Sequence, residues 1–221
     1  MLEHIADSTP SQKMKITTLK TVNAVATLAG ATPAIATSAD AWDADPMLLG
    51  TPAGTLDLRT GAMIASDKAQ MVSKSTGITP VPGPHPWWDR VLERATGNVA
   101  EFLQLWCGYM LTGDTREERF LFIHGPGGGG KSKFLLAVSE ILGDYRRTAK
   151  MESFTAQSRQ EHSEEIARLA GARLVIATET DEGSRWNESR IKALTGRDVI
   201  AARHMHRSTF EFKPQFKLVF V

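Results

Sequence analysis

The residues best suited to chemistry are Gly125-Pro126-Gly127-Gly128-Gly129-Gly130-Lys131-Ser132, an unadjusted G-x-x-x-x-G-K-[ST] run. Glycines let backbone N–H groups turn around phosphates, and the N-terminus of a following helix adds positive potential. Lys131 would reach the β- and γ-phosphates, and the Ser132 hydroxyl would hold Mg²⁺. The candidate nucleotide contacts are therefore Gly125 to Ser132 and the adjoining Lys133, with ATP and Mg²⁺ as the expected ligands. Such a loop needs a second acid to finish the magnesium shell or polarise water. Glu179 follows the apolar run Leu174-Val175-Ile176-Ala177 and Thr178, at the strand end where an open parallel sheet binds ligands. Asp181 and Glu182 compete for the role. The expectation is Glu179 for the metal shell and the attacking water, with Glu182 as the alternative, so the catalytic candidates are Lys131, Glu179 and Glu182. His204 and His206 are close together, but no acid or cysteine cluster accompanies them to make another metal site.

These groups need elements to position them. Phe120-Leu121-Phe122-Ile123, a continuous apolar run, predicts a buried strand before the loop, and Lys131 to Leu142 predicts a helix after it. Leu174 to Ala177 reads as a second buried strand and Phe216 to Val221 as another. Helices are expected over Trp87 to Met110, weak at Gly97, over Glu161 to Ala170, and over Asn187 to Leu194. Strands alternating with helices predict an α/β fold, a parallel sheet covered on both faces. Val199 to Phe212 reads as two strands around a polar tip. From Arg190 to Lys217 there are seven Lys or Arg and two acids, a strong local excess of positive charge. A basic hairpin tip can grip phosphates without reading bases, so Lys192, Arg203, His204, His206 and Arg207 are the DNA-binding candidates. A solvated basic turn is the alternative.

Upstream the pattern differs. Residues 1 to about 45 read as helix and then an Ala/Thr/Ser-rich passage. Residues 46 to 79 read as short strands and turns, with Thr55 to Gly61 alternating as a small hairpin would. Pro80, Pro82, Pro84 and Pro86 stiffen the chain and bar helix or ladder pairing. The expected division is 1–79, an 80–86 linker, and 87–221. The 19 uncharged residues from Thr21 to Ala39 follow three lysines and loosely imitate a targeting signal. The apolar residues Ile16, Leu19, Val22, Val25 and Leu28 step by three along one helix face, so an amphipathic helix packed on a soluble domain is expected rather than a membrane segment. The chain has 221 residues with a net charge of +1, ordinary globular values that exclude a coiled coil, a collagen or a mainly disordered chain. Near neutrality argues against a wholly basic nucleic-acid binder but says nothing of local patches. The single cysteine, Cys107, cannot form an internal disulfide and fits a reducing cytosol.

The order of Leu56-Asp57-Leu58-Arg59-Thr60-Gly61, Pro86-Trp87, Gly108 to Gly113, the phosphate loop, Thr178-Glu179, Leu194-Thr195-Gly196, Ala202-Arg203 and Phe212-Lys213-Pro214 resembles the phage and plasmid primase-helicase family of superfamily 3 helicases, which shares a module with poxvirus primase-helicases. The resemblance runs from about residue 14 to the last. It implies a P-loop NTPase (AAA+-like) domain behind a small α+β N-terminal module. The implied activity is an ATP-driven replicative DNA helicase, a ring motor and usually a hexamer on single- or double-stranded DNA, cytoplasmic in a prokaryotic host, phage or mobile element. Arg190 to Arg207 match the stretch leading into its channel hairpin. Two departures stand out. Gly129 stands where the family usually has Asn, and the family's sensor Asn and finger Arg fall beyond Val221, so the sequence reads as truncated before them. The other readings are a nucleotide-binding remnant without turnover and a different P-loop enzyme such as a small-molecule kinase.

Overall fold

A computed structural model describes residues 18–33, 35–96, 99–156, 162–178, 185–205 and 207–221. They form two compact units, the described residues up to Trp42 and those from Asp43 onward. The first holds α1 (Leu19–Ala31), whose N-cap Thr18 accepts a hydrogen bond from the Thr21 N–H. The expected three-residue step is there, but Leu19, Val22, Val25 and Leu28 are all exposed. No helix of the described residues is long and apolar enough to cross a membrane.

The second unit opens with a meander of β1 (Leu48–Thr51), β2 (Gly54–Asp57) and β3 (Ala62–Ile64), joined antiparallel in that order. The predicted hairpin thus gains a third strand. Helices α2 (Pro86–Thr96) and α3 (Ala100–Leu111) stand where a single helix was expected from Trp87 to Met110; its weak point, Gly97, lies outside the described residues. Pro86 sits at the first position of α2, where its missing N–H costs nothing. Then come β4 (Leu121–Phe122), α4 (Lys131–Leu142), β5 (Arg146–Lys150), α5 (His162–Ala167), β6 (Leu174–Thr178) and α6 (Glu188–Thr195). The antiparallel hairpin β7 (Ile200–Arg203) and β8 (Thr209–Phe212) precedes β9 (Lys217–Phe220).

Four strands make a parallel sheet in the order β4-β9-β6-β5. Alternate residues feed opposite faces, which is why β6 and β9 read as unbroken apolar runs. Val175, Ala177, Leu218 and Phe220 join a core with α5, α6 and the hairpin residues Ala202, Phe210 and Phe212. Leu174, Ile176 and Val219 join a second core with Phe134, Leu135 and Val138 of α4, Leu92 of α2 and Leu103 of α3. The sheet is therefore covered on both faces, as expected. Cys107, partly buried on α3, is a packing residue, and burial pushes its thiol up to about 11.

Two expectations need correction. The meander is not separated from the rest at the proline run. Leu49, Leu56 and Leu58 pack into the same core as Phe134 and Val219. The Gly77 N–H donates to the Ile141 carbonyl, and the Gly113 N–H to the Pro46 carbonyl at 2.7 Å. The compact boundary falls near residue 42 because these long-range bonds outweigh local stiffness. Nor is the apolar run before the loop buried on both faces. β4 is an edge strand, with Leu121 buried while Phe120 and Phe122 are exposed.

Candidate functional site

The glycine run lies where the sequence puts it, between the end of β4 and the start of α4. Gly128 (φ 81°) and Gly130 (φ 80°) occupy the left-handed region that other residues enter only at a cost. Gly130 is the N-cap of α4. It offers no side-chain cap, and the first turn carries no acid. The free donors of that turn, with Lys131 and Lys133 beside them, give this end of the helix an electropositive face. The Lys131 ammonium donates to the carbonyls of Gly125 (2.7 Å) and Pro126 (2.9 Å), so it lies over the loop it would serve. Ser132 and Lys133 follow it and are exposed. At Gly129, where the family pattern has Asn, a Cβ would come within 3.3 Å of the Pro126 carbonyl oxygen, a tight but adjustable fit.

β6 ends at Thr178, two strands from β4 and at the same end of the sheet as the loop. Glu179, Asp181 and Glu182 follow directly but lie outside the described residues. Among the described residues no cluster of His, Cys, Asp or Glu could hold a metal ion alone. A Mg²⁺ here would depend on Ser132, a carboxylate after β6 and the phosphates of its nucleotide, which matches how Mg²⁺ is usually held. The uncapped helix end and the left-handed glycines suit a triphosphate.

The basic hairpin forms as expected, with Arg203 paired to Thr209 and the Arg207 N–H closing the tip onto the His204 carbonyl. Arg203 and Arg207 are exposed, and the His204 ring stacks on Phe210 at 5.4 Å. His206 lies outside the described residues. Three cations of this basic stretch do different work. Lys192 sits on α6, in the wall of a groove with Phe120, Phe122 and Trp186. Arg190 donates to the Ser153 carbonyl. Lys217 is only 1% exposed and lies in the sheet.

Lys217 and Arg173 belong to a buried network that the sequence does not suggest. The Lys217 ammonium donates to the Thr112 carbonyl (2.6 Å) and hydroxyl (3.1 Å) and sits 4.2 Å above the Tyr109 ring. Burial, with Arg173 nearby, pushes its pKa down to about 7. The Arg173 guanidinium donates to the carbonyls of Leu111 and Leu48 and lies over the Tyr145 ring. The Tyr145 hydroxyl accepts from the Gly50 N–H and donates to the Lys74 carbonyl. The other feature hidden from the sequence is a cavity on the flank of the loop, formed by the start of α3 and by His124.

Comparison with known proteins fits this arrangement. Residues 1–97 match the family described as D5 N terminal like. Residues 123–221 match a family of unknown function, DUF5906. A protein of Acanthamoeba polyphaga mimivirus that carries a helicase name is 30% identical over 122 residues. These matches make the chain similar to viral primase-helicases over each half separately. The match covers 54% of this chain and only 13% of the mimivirus protein, so the chain spans a small part of that relative's length. The fold has solved counterparts in the apo C-terminal region (305–718) of NrS-1, at TM-scores of 0.54 and 0.56. Each covers 81% of this chain and 41% of the other at 12% identity, a likeness of fold alone.

Proposed function

We propose that this chain is the nucleotide-binding part of an ATP-driven DNA helicase. The observation that carries the reading is the glycine loop itself. Left-handed Gly128 and Gly130 lead into an uncapped, acid-free helix start, directly after a strand of a parallel sheet. In this reading the fold is a P-loop NTPase of the AAA+ kind. Lys131 gives up the Gly125 and Pro126 carbonyls to neutralise the phosphates, and Ser132 supplies its hydroxyl to Mg²⁺. Glu179, or failing it Glu182, holds the attacking water. The metal adds charge stabilisation at the phosphates. Arg203, His204 and Arg207 ride on a hairpin whose inner face shares a core with β6 and β9, so a shift of those strands would reach the tip. The assembly would be a ring of copies around DNA, during replication of a phage or mobile element.

The test is ATP turnover with and without single-stranded DNA. Stimulation by DNA, lost in Lys131→Ala, supports the motor. Equal turnover in both conditions removes the coupling to DNA, and an ATP affinity that survives Lys131→Ala removes the phosphate-loop assignment.

A further inference from the structure

The groove beside Lys192 is an aromatic surface that neither the glycine loop nor the hairpin tip uses. Phe120 and Phe122 line it, two residues apart at the edge strand β4. Trp186 and the α6 residues Glu188, Ile191 and Lys192 complete it. The three aromatic side chains stay open, at 45%, 53% and 40% exposure for Phe120, Phe122 and Trp186. They are nonetheless held. The rings of Phe120 and Trp186 meet the buried Phe220 ring edge-on, at 5.3 and 4.9 Å. The backbone around Trp186 is pinned, because the Ala156 N–H donates to the Arg185 carbonyl and the Asn187 N–H to the Phe154 carbonyl, both at 2.9 Å. Rings fixed in advance bind a flat ligand with little further loss of entropy. Cations stand by them. Lys192 and Trp186 also border an adjoining polar hollow together with Arg190, and the exposed Arg185 directly precedes Trp186. Among the residues named, three cations face one acid, Glu188.

We propose that this groove is a stacking platform for the unpaired bases of a single nucleic-acid strand, whose phosphates pair with Arg185 and Lys192. The inference rests on the DNA reading above and goes beyond it, because the site lies outside the hairpin and takes bases rather than phosphates alone. Exposed aromatic rings bordered by positive charge suit a ligand that is both flat and polyanionic. An apolar protein surface would use the rings and leave the cations unanswered. Stacking needs a free base face, and bases within a duplex have none, so the groove selects single strands. Every base has such a face, so the site carries no sequence preference.

The test compares binding of oligo(dT) of about twelve nucleotides with that of an abasic strand of the same length, at several salt concentrations. The wild-type chain should bind oligo(dT) about tenfold more tightly. Trp186→Leu and Phe122→Leu should each remove most of that preference and leave the salt slope unchanged. Trp186→Phe, which restores a ring, should keep most of it. Lys192→Ala should weaken both strands and lower the slope by about 0.7. His204→Ala with Arg207→Ala should weaken both strands equally, so the preference survives it. Equal binding of the two strands by the wild-type chain, or a full preference in both leucine variants, overturns the platform and leaves the hairpin reading standing. Leucine variants that alter self-association but not the preference also overturn it, and make the groove a protein contact. If the wild-type chain binds neither strand, the DNA reading itself fails and the platform falls with it.

Discussion

The two ends of the parallel sheet use buried or half-buried cations in opposite ways. At the loop end, Lys131 is held by two carbonyls of its own loop and stays partly open to water. At the other end, Arg173 and Lys217 are 1% exposed and are held by carbonyls of Leu48, Leu111 and Thr112, from two other elements. An ammonium with local, exposed partners can change them at little cost. A buried guanidinium cannot, because removing any partner leaves a charge and a carbonyl unpaired in a medium that does not solvate them. One end leaves its cation free to change partners, and the other ties β1, α3 and the sheet together.

The largest effect should therefore come from the end with no ligand. Arg173→Met keeps much of the apolar volume but strands the Leu48 and Leu111 carbonyls. It should cost about 3–5 kcal/mol in denaturant unfolding. Lys131→Ala should do the reverse, changing unfolding free energy by less than about 0.5 kcal/mol while weakening Mg·ATP binding by about thirtyfold. If the two variants were destabilised to a similar degree, the contrast between the ends would be wrong.

The sequence reveals the loop end far better than the other. The G-x-x-x-x-G-K-[ST] run and the limits of α4 depend on neighbours in the chain, and the helix begins at Lys131 and ends at Leu142 as its pattern implies. Arg173 and Lys217 look like surface charges in sequence because the Leu48 carbonyl that Arg173 holds is 125 residues away. β5 is hidden for a related reason. Its sequence is Arg146-Arg147-Thr148-Ala149-Lys150, and as an edge strand it buries only Ala149. Charged residues on an edge strand discourage pairing with other chains and conceal the strand from an apolar pattern. Val99 and Phe102 are inconspicuous in the sequence because only the fold brings the start of α3 to the loop.

The tie has a pH signature. The Lys217 amine titrates near 7 in the folded chain, mainly because it is buried, and near its ordinary 10.5 when unfolded. Between those values the unfolded chain binds a proton that the folded chain does not, so stability rises with pH across that window and is flat below it. The slope is at most about 1.4 kcal/mol per pH unit. Cys107, raised from 9.0 to about 11, acts with the opposite sign above pH 9. Unfolding measured from pH 7 to 8.5 isolates Lys217. Wild type should gain about 1–2 kcal/mol across that range, and Lys217→Met should remove the gain. A gain that persists in Lys217→Met would show that the amine is not the group responsible.

The smallest effect belongs to the hairpin, where the two kinds of cation use meet. Arg203 and Arg207 are exposed, more so than the half-buried Lys131, yet the strands beneath them are anchored through Ala202 and Phe210 in the same core as β6 and β9. Their charges should therefore be free to bind phosphates without being needed for folding. Arg207→Ala with His204→Ala should lower single-stranded DNA affinity by about three- to tenfold at moderate salt. The slope of log affinity against log salt should fall by about one for each phosphate that is no longer neutralised. Stability should change by less than about 0.5 kcal/mol, and Mg·ATP affinity should not change. Phe210→Ala should act differently, because Phe210 both stacks on His204 and fills the core. It should lower stability and DNA affinity together, by about 2 kcal/mol and a few-fold. If His204→Ala with Arg207→Ala left the salt slope untouched, the tip would be a solvated turn, and the DNA-binding surface would have to be sought elsewhere, beginning with Lys192 and the aromatic groove beside it.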